Sequence, residues 1–331
     1  MTKKKPSSPT KPKDSHNFAV GGQAIIEGVM MRSKHFYTMA VRRESKEIVV
    51  ESRQYISWTK RSKILALPLL RGVVVLGESV YLGMKALFFS NNIMMEDIDE
   101  AERKKGKKVK EKSDKKTLLQ SFLGGLFWIA YFIFTFGMAI FLFKFLPLFV
   151  AEKATYFPVV DSHYWIFNLV DGMTKIAVFV GYLLLISLLP DIRRVFAYHG
   201  AEHQAIWAHE KGKKLTIKNA QEENPEHPRC GTSFIMLVLL LSIAVYTALP
   251  EENDFTTKLL ERILVLPLIA GLSYEVLKVS AKYETKWWMH WVTLPGIWLQ
   301  KITTKKPDDE MEEVAIAALT AALKAEEGFK G

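Results

Sequence analysis

Two short runs hold most of the side chains able to do chemistry. The first is Tyr198-His-Gly-Ala-Glu-His-Gln204, and the second is His227-Pro-Arg-Cys-Gly-Thr-Ser233. Four of the eight histidines fall within residues 199–227, and the single cysteine, Cys230, follows closely. His199, Glu202 and His203 fit H-x-x-E-H. On a helix the two imidazoles lie four residues apart on one face, with Glu202 beside them. That is the pattern of inverzincin sites, in which two histidines bind Zn²⁺ and the glutamate acts as base. His227 and Cys230 add an H-x-x-C pair, and imidazole with thiolate suits Zn²⁺. Four such ligands would close a structural site, whereas catalysis needs three and an open position. The competing reading makes His199 and His203 hydrogen-bonded helix residues and Cys230 a small apolar side chain.

The elements around these runs are largely apolar. The chain of 331 residues is 49% hydrophobic with a formal charge of +10, and both properties are blocky. Lys and Arg gather at the N-terminus, at 103–116 and at 193–218, as they do in the cytoplasmic flanks of membrane helices. No aromatic-interleaved basic motif accompanies them, which excludes a nucleic-acid partner. One cysteine excludes an internal disulfide framework. The basic N-terminus has no apolar run behind it and is expected to be a tail rather than a cleaved signal.

The resulting fold class is a mainly α, polytopic membrane protein with a small antiparallel β unit near the N-terminus. Residues 1–17 form the basic tail. Residues 18–60 form the β unit, because 36–41 and 48–55 are rich in β-branched and aromatic residues, with approximate alternation, around a polar turn. Gly21, Gly22 and Gly28 allow a tight bend into it; the Lys-Ser/Thr of a phosphate loop is missing. Residues 61–116 comprise an interfacial or re-entrant helix at 64–89 and a basic linker. Arg71, Glu78 and Lys85 recur every seven residues there, so a helix lying on the surface with its charges outward costs less than a spanning one. The region 117–306 holds four spans, at 118–142, 165–189, 233–249 and 260–280, with a polar 190–232 loop. Asp171 and Lys175 are spaced to pair. An acidic helix occupies 307–331, its early carboxylates suiting the helix dipole.

The basic linkers set the orientation. Lys and Arg crowd the segment before the first span and the 190–232 loop, while Lys153 and Lys258 stand alone in the other two connections. Both termini and the loop are therefore expected on the cytoplasmic side of a bacterial inner membrane. Glu275 then lies within about 10 Å of the cytoplasmic end of its span. It is a candidate further metal ligand, or a residue that pairs with Lys278 and snorkels.

The runs Gly21–Arg32, Tyr198–His203, His227–Ser233 and Ser273–Glu275, with Pro295-Gly296, resemble the YqhQ-like family of bacterial membrane proteins. The resemblance covers residues from about Phe18 to Pro307. It implies an integral membrane protein of a domain of unknown function, grouped with metal-dependent enzymes. Its motif residues fall on Gly21, Gly22, Gln23, Glu27, Gly28 and Arg32, on His199, Glu202 and His203, and on His227, Arg229, Cys230 and Glu275.

Two functions follow. One is a zinc-dependent hydrolase whose base is Glu202, acting on a lipid-like or membrane-protein substrate at the membrane face. The other is a non-enzymatic membrane regulator whose metal site is structural.

Overall fold

The computed structural model describes residues 20–105, 118–250, 254–283 and 286–329. The basic tail and most of the 103–116 linker lie outside them. Four strands, β1 (Gly21–Ile25), β2 (Gly28–Arg32), β3 (Phe36–Arg42) and β4 (Ile48–Gln54), pair antiparallel in the order 1-2-3-4. This is the meander expected from the alternation. The Gly-rich entry is its first hairpin. Glu27 takes a φ of 51° in the loop, and a side chain at Gly28 would drive into the Ala40 carbonyl.

Thirteen α-helices follow among the described residues. The first four are α1 (Trp58–Arg61), α2 (Leu70–Lys104), α3 (Leu118–Ile140) and α4 (Leu146–Ala154), the last two joined by a π-helical turn at Phe141–Phe145. Next come α5 (Pro158–Asp161), α6 (Tyr164–Ile186), α7 (Pro190–Glu210) and α8 (Ile217–Gln221). Then come α9 (Gly231–Thr247), α10 (Phe255–Leu264), α11 (Leu266–Lys282), α12 (Trp287–Thr303) and α13 (Asp309–Glu327).

The sheet is a middle layer because its two faces are both apolar. Ile25, Met30, Tyr37, Met39 and Val41 pack against Leu82, Ala86 and Ile93 of α2. Val29, Met31 and Ala40 point the other way, onto α7 and α13. Along α13, Met311, Val314, Ala315, Ala318, Leu319 and Ala322 are buried at helical spacing, so the acidic C-terminal helix covers the sheet. Segments distant in sequence thus build one three-layer unit.

Among the described residues, three helical stretches are long and apolar enough to cross a membrane: α2, Gly125–Ala154 and α6. The pair α10–α11, bent by 43° at its break, makes a fourth if it is one span. Two differences from expectation have physical causes. The 17-residue helix α9 is apolar but short. The 64–89 run belongs to a 35-residue helix, and its charges do not all face outward. Glu78 is fully buried, taking hydrogen bonds from Ser57 Oγ at 2.8 Å and Arg32 at 3.0 Å, because α2 has the sheet and α1 against that face.

Candidate metal centre

Helix α7 presents the H-x-x-E-H residues. Pro190 at its first turn and Asp191 beside it suit a helix N-terminus. From Ala197 to Ala208 one face is buried against β1, β2 and α13. His199 and His203 therefore share a face, with ring centroids 4.3 Å apart.

Each imidazole is fixed through Nδ1. His199 Nδ1 lies 2.9 Å from the Thr303 carbonyl at the end of α12, and His203 Nδ1 lies 2.5 Å from the Pro225 carbonyl. A carbonyl only accepts, so both Nδ1 atoms carry the proton and both Nε2 atoms present a lone pair on the side of Cys230. His199 Nε2 is 3.1 Å from Cys230 Sγ. One ligand atom from each of His199, His203 and Cys230 lies within 4.8 Å of the others, which could hold a metal ion. Imidazoles with Nδ1–H tied to backbone carbonyls are in the form and orientation of metal ligands. Burial also pushes His203 below its usual value, which favours the neutral imidazole that ligates. The donor set, two imidazoles and a sulfur, suits Zn²⁺.

Cys230 is the N-cap of α9, its sulfur accepting from Thr232 N at 3.5 Å and Thr232 Oγ1 at 3.3 Å. A helix N-terminus is where a negative ligand atom is best held. The loop before it is pinned by Gln300 of α12. Its Oε1 accepts from His227 N at 2.7 Å, and its Nε2 donates to the His227 carbonyl at 2.9 Å and to Ser233 Oγ at 3.1 Å.

Glu202 is buried on the same helix and accepts a hydrogen bond from the Gly22 amide. Burial raises its carboxyl above the usual range, opposed by His199, His227 and the Gly22 N–H. Gly22 is obligatory for this approach. A Cβ there would stand 2.7 Å from Glu202 Cγ and Oε1. Glu202, His203, His227 and Cys230, with Gly21 and Gly22, line a cavity of about 230 Å³.

Two sequence candidates stand outside the His–His–Cys group. His227 Nδ1 accepts from Arg229 N at 3.2 Å, which places its proton on Nε2, 3.4 Å from Glu210 Oε2. Both nitrogens are engaged, and Arg229 itself pairs with Glu210. Glu275 is clamped by Arg71, with one contact at 2.6 Å, instead of reaching the cluster or pairing with Lys278. Its arginine sits at the start of α2, which packs on α11, so the carboxylate is drawn to that helix.

The Gly21–Arg32 motif works as a hub. Gln23 Nε2 donates to the Ser79 carbonyl at 3.3 Å, and Arg32 holds Glu78. Glu27 takes two 2.6 Å contacts from Arg194 of α7. The hairpin is thereby tied to α2 on one side and to the site helix on the other. Neither Gln300 nor Thr303 stands out in the sequence, and Pro225 does so only as a loop residue. Thr303 and Pro225 act through backbone carbonyls, which leave no side-chain signature; Gln300, one turn after Gly296 on α12, carries a weak one.

Fold and site together define a mainly helical protein in which apolar helices join a layered unit carrying a His–His–Cys group. The chain belongs to the family described as "Protein of unknown function (DUF1385)", whose model matches residues 67–325. It is 32% identical over 308 residues to "Uncharacterized protein YqhQ" of Bacillus subtilis (strain 168), covering 93% of each chain. That is the family its motifs resemble. No solved structure matches.

Proposed function

We propose that this protein is a multi-pass protein of the bacterial cytoplasmic membrane with a cytoplasm-facing zinc site, and that it is a hydrolase in which Glu202 is the general base. The membrane assignment is supported by apolar side chains that none of the described residues covers. Phe132, Ile133, Phe134 and Phe136 of α3 are each more than half exposed around the helix, a surface suited to lipid. Helix α2 suits the interface. One face is on the sheet, while Leu76, Val80, Met84, Leu87 and Phe88 form an exposed apolar stripe. The Lys/Arg-rich connections then put the layered unit, and both termini, on the cytoplasmic side.

The observation that carries the hydrolase reading is the commitment of His227 and Glu275 to other partners. With both occupied, the group offers three protein ligands and leaves one side to the cavity, the arrangement of catalytic rather than closed structural sites. A metal ion held there would supply Lewis-acid polarisation of a substrate oxygen. The chain's own contribution is to fix both imidazoles, to shape the cavity and to hold Glu202 on its wall. A buried carboxyl with a raised proton affinity is suited to take a proton from a nucleophile and return it to a leaving group. A site whose Cys230 caps the apolar helix α9 favours an amphiphilic or membrane-protein substrate.

The test compares lipid and peptide fractions of membranes carrying the wild-type protein or Glu202→Gln, with metal content measured in both. The reading expects cleavage products that vanish in the variant while metal is retained. Identical fractions from two equally metal-loaded proteins would contradict it and favour a structural site in a membrane regulator.

A further inference from the structure

A second cluster of charge lies away from the metal centre, among α6, α9, α10 and the π-helical turn. Lys175 Nζ is 2.9 Å from Asp171 Oδ2, and Arg262 Nη1 pairs with the same oxygen. Arg262 Nη2 also donates to Asn168 Oδ1 at 2.5 Å. Lys144, on the π-helical turn, donates to the Tyr246 hydroxyl at 2.7 Å, and that hydroxyl donates to the Arg262 carbonyl at 3.1 Å. The charged ends of Lys144, Lys175 and Arg262 stand 5.3, 4.8 and 4.8 Å from the centre of the Tyr246 ring.

The formal charges do not balance. Three cations surround one carboxylate, and among the described residues Asp171 is the acid that ion-pairs with Lys175 and Arg262. Asp171, Lys175 and Arg262 are each at most 3% exposed. A network that only held helices together would match its basic and acidic groups, because a buried charge without a partner is strongly destabilising. The Tyr246 ring offsets only part of that cost. Asp171 uses one oxygen for both cations, leaving Oδ1 buried with no hydrogen bond, and Arg262 Nη1 likewise lacks a well-formed one. The backbone is irregular on two sides of the cluster. Lys144 is carried by a π-helical turn, and the chain bends by 43° just after Arg262. Such interruptions in apolar helices accompany ligand sites, since they open space and free backbone groups at depth.

We propose that Lys144, Lys175 and Arg262 form an oxyanion site, taking a phosphate or carboxylate group, with Asp171 as the resident counter-ion when it is empty. Lys144 is half-buried while the other two are enclosed, so the anion enters past Lys144. Two sources share this chemistry, the headgroup of an anionic lipid and free inorganic phosphate. The site is independent of the metal centre and of its proposed catalysis.

The experiment measures thermal unfolding of the full chain in nanodiscs. One set is pure phosphatidylcholine, with and without added inorganic phosphate, and the other includes phosphatidylglycerol. An anion that binds the folded state raises the Tm. A rise with phosphate identifies the free anion, and a rise with phosphatidylglycerol identifies the lipid. Asp171→Asn removes the competing carboxylate and is expected to tighten apparent affinity by about tenfold, while Lys144→Gln weakens it by a similar factor. If Asp171→Asn does not fold, Lys144→Gln alone decides. No rise with either anion overturns the proposal, and so does a rise undiminished in Lys144→Gln.

Discussion

Glu312 of α13 offers a test of the layered unit that is independent of any substrate. Its side chain is fully buried where α13 covers the sheet, and among the described residues neither carboxyl oxygen has a hydrogen-bond partner. Burial, with a further contribution from Asp309, raises its pKa from 4.5 to about 8. A folded value above the unfolded one means that the folded state binds the proton more tightly. The associated stability is fully present below about pH 4.5 and is lost as pH rises towards about 8. At 1.36 kcal/mol for each tenfold change in proton activity, the loss by pH 7 is roughly 3 kcal/mol. Glu312→Gln cannot ionise and avoids that loss. It should therefore be more stable than wild type by roughly 3 kcal/mol at pH 7, about 5 °C in Tm, with the gap shrinking below about 1 kcal/mol near pH 5. Thermal unfolding of both proteins across this range is the assay. Parallel pH profiles, or a less stable variant at pH 7, would refute the placement of Glu312 in an apolar layer.

Three further outcomes are expected. Gly22→Ala puts a methyl group 2.7 Å from Glu202 Cγ and Oε1, so the carboxylate must retreat by about 1 Å. Metal content should hold while any hydrolytic rate falls on the order of a hundredfold, read by metal analysis and turnover together. Gln300→Leu strips three hydrogen bonds from His227 and Ser233. It should lower unfolding stability by about 2–4 kcal/mol and weaken metal affinity, both measurable on one preparation. Glu275→Gln should leave the metal stoichiometry unchanged, because that carboxylate belongs to Arg71; metal loss in this variant would restore it to the ligand set.

The sequence made the meander readable, because residues 36–41 and 48–55 are rich in β-branched and aromatic residues in approximate alternation on either side of a polar turn. It made His199 and His203 readable as a pair, because four residues is a near-integral helical turn. The Asp171–Lys175 pair followed from the same spacing and is present at 2.9 Å. Other features depend on tertiary choices that local pattern does not encode. Glu275 had several cations within reach, and the one that holds it is 204 residues away. Glu78 looked like an outward charge on an apolar helix until the sheet and α1 were placed against it. The acidic first turn of α13 was legible, but its Ala-rich face gave little sign that it would cover the sheet. The carbonyls of Thr303 and Pro225, which hold the imidazoles of His199 and His203, leave no readable side-chain signal at all.

The most direct measurement is the metal content of the purified protein and of three variants. Stoichiometric zinc is expected in the wild type and in His227→Ala, and its loss in the His199→Ala, His203→Ala double variant and in Cys230→Ala. Folded double-variant protein that retains its full metal complement would contradict the assignment of the His199–His203–Cys230 group.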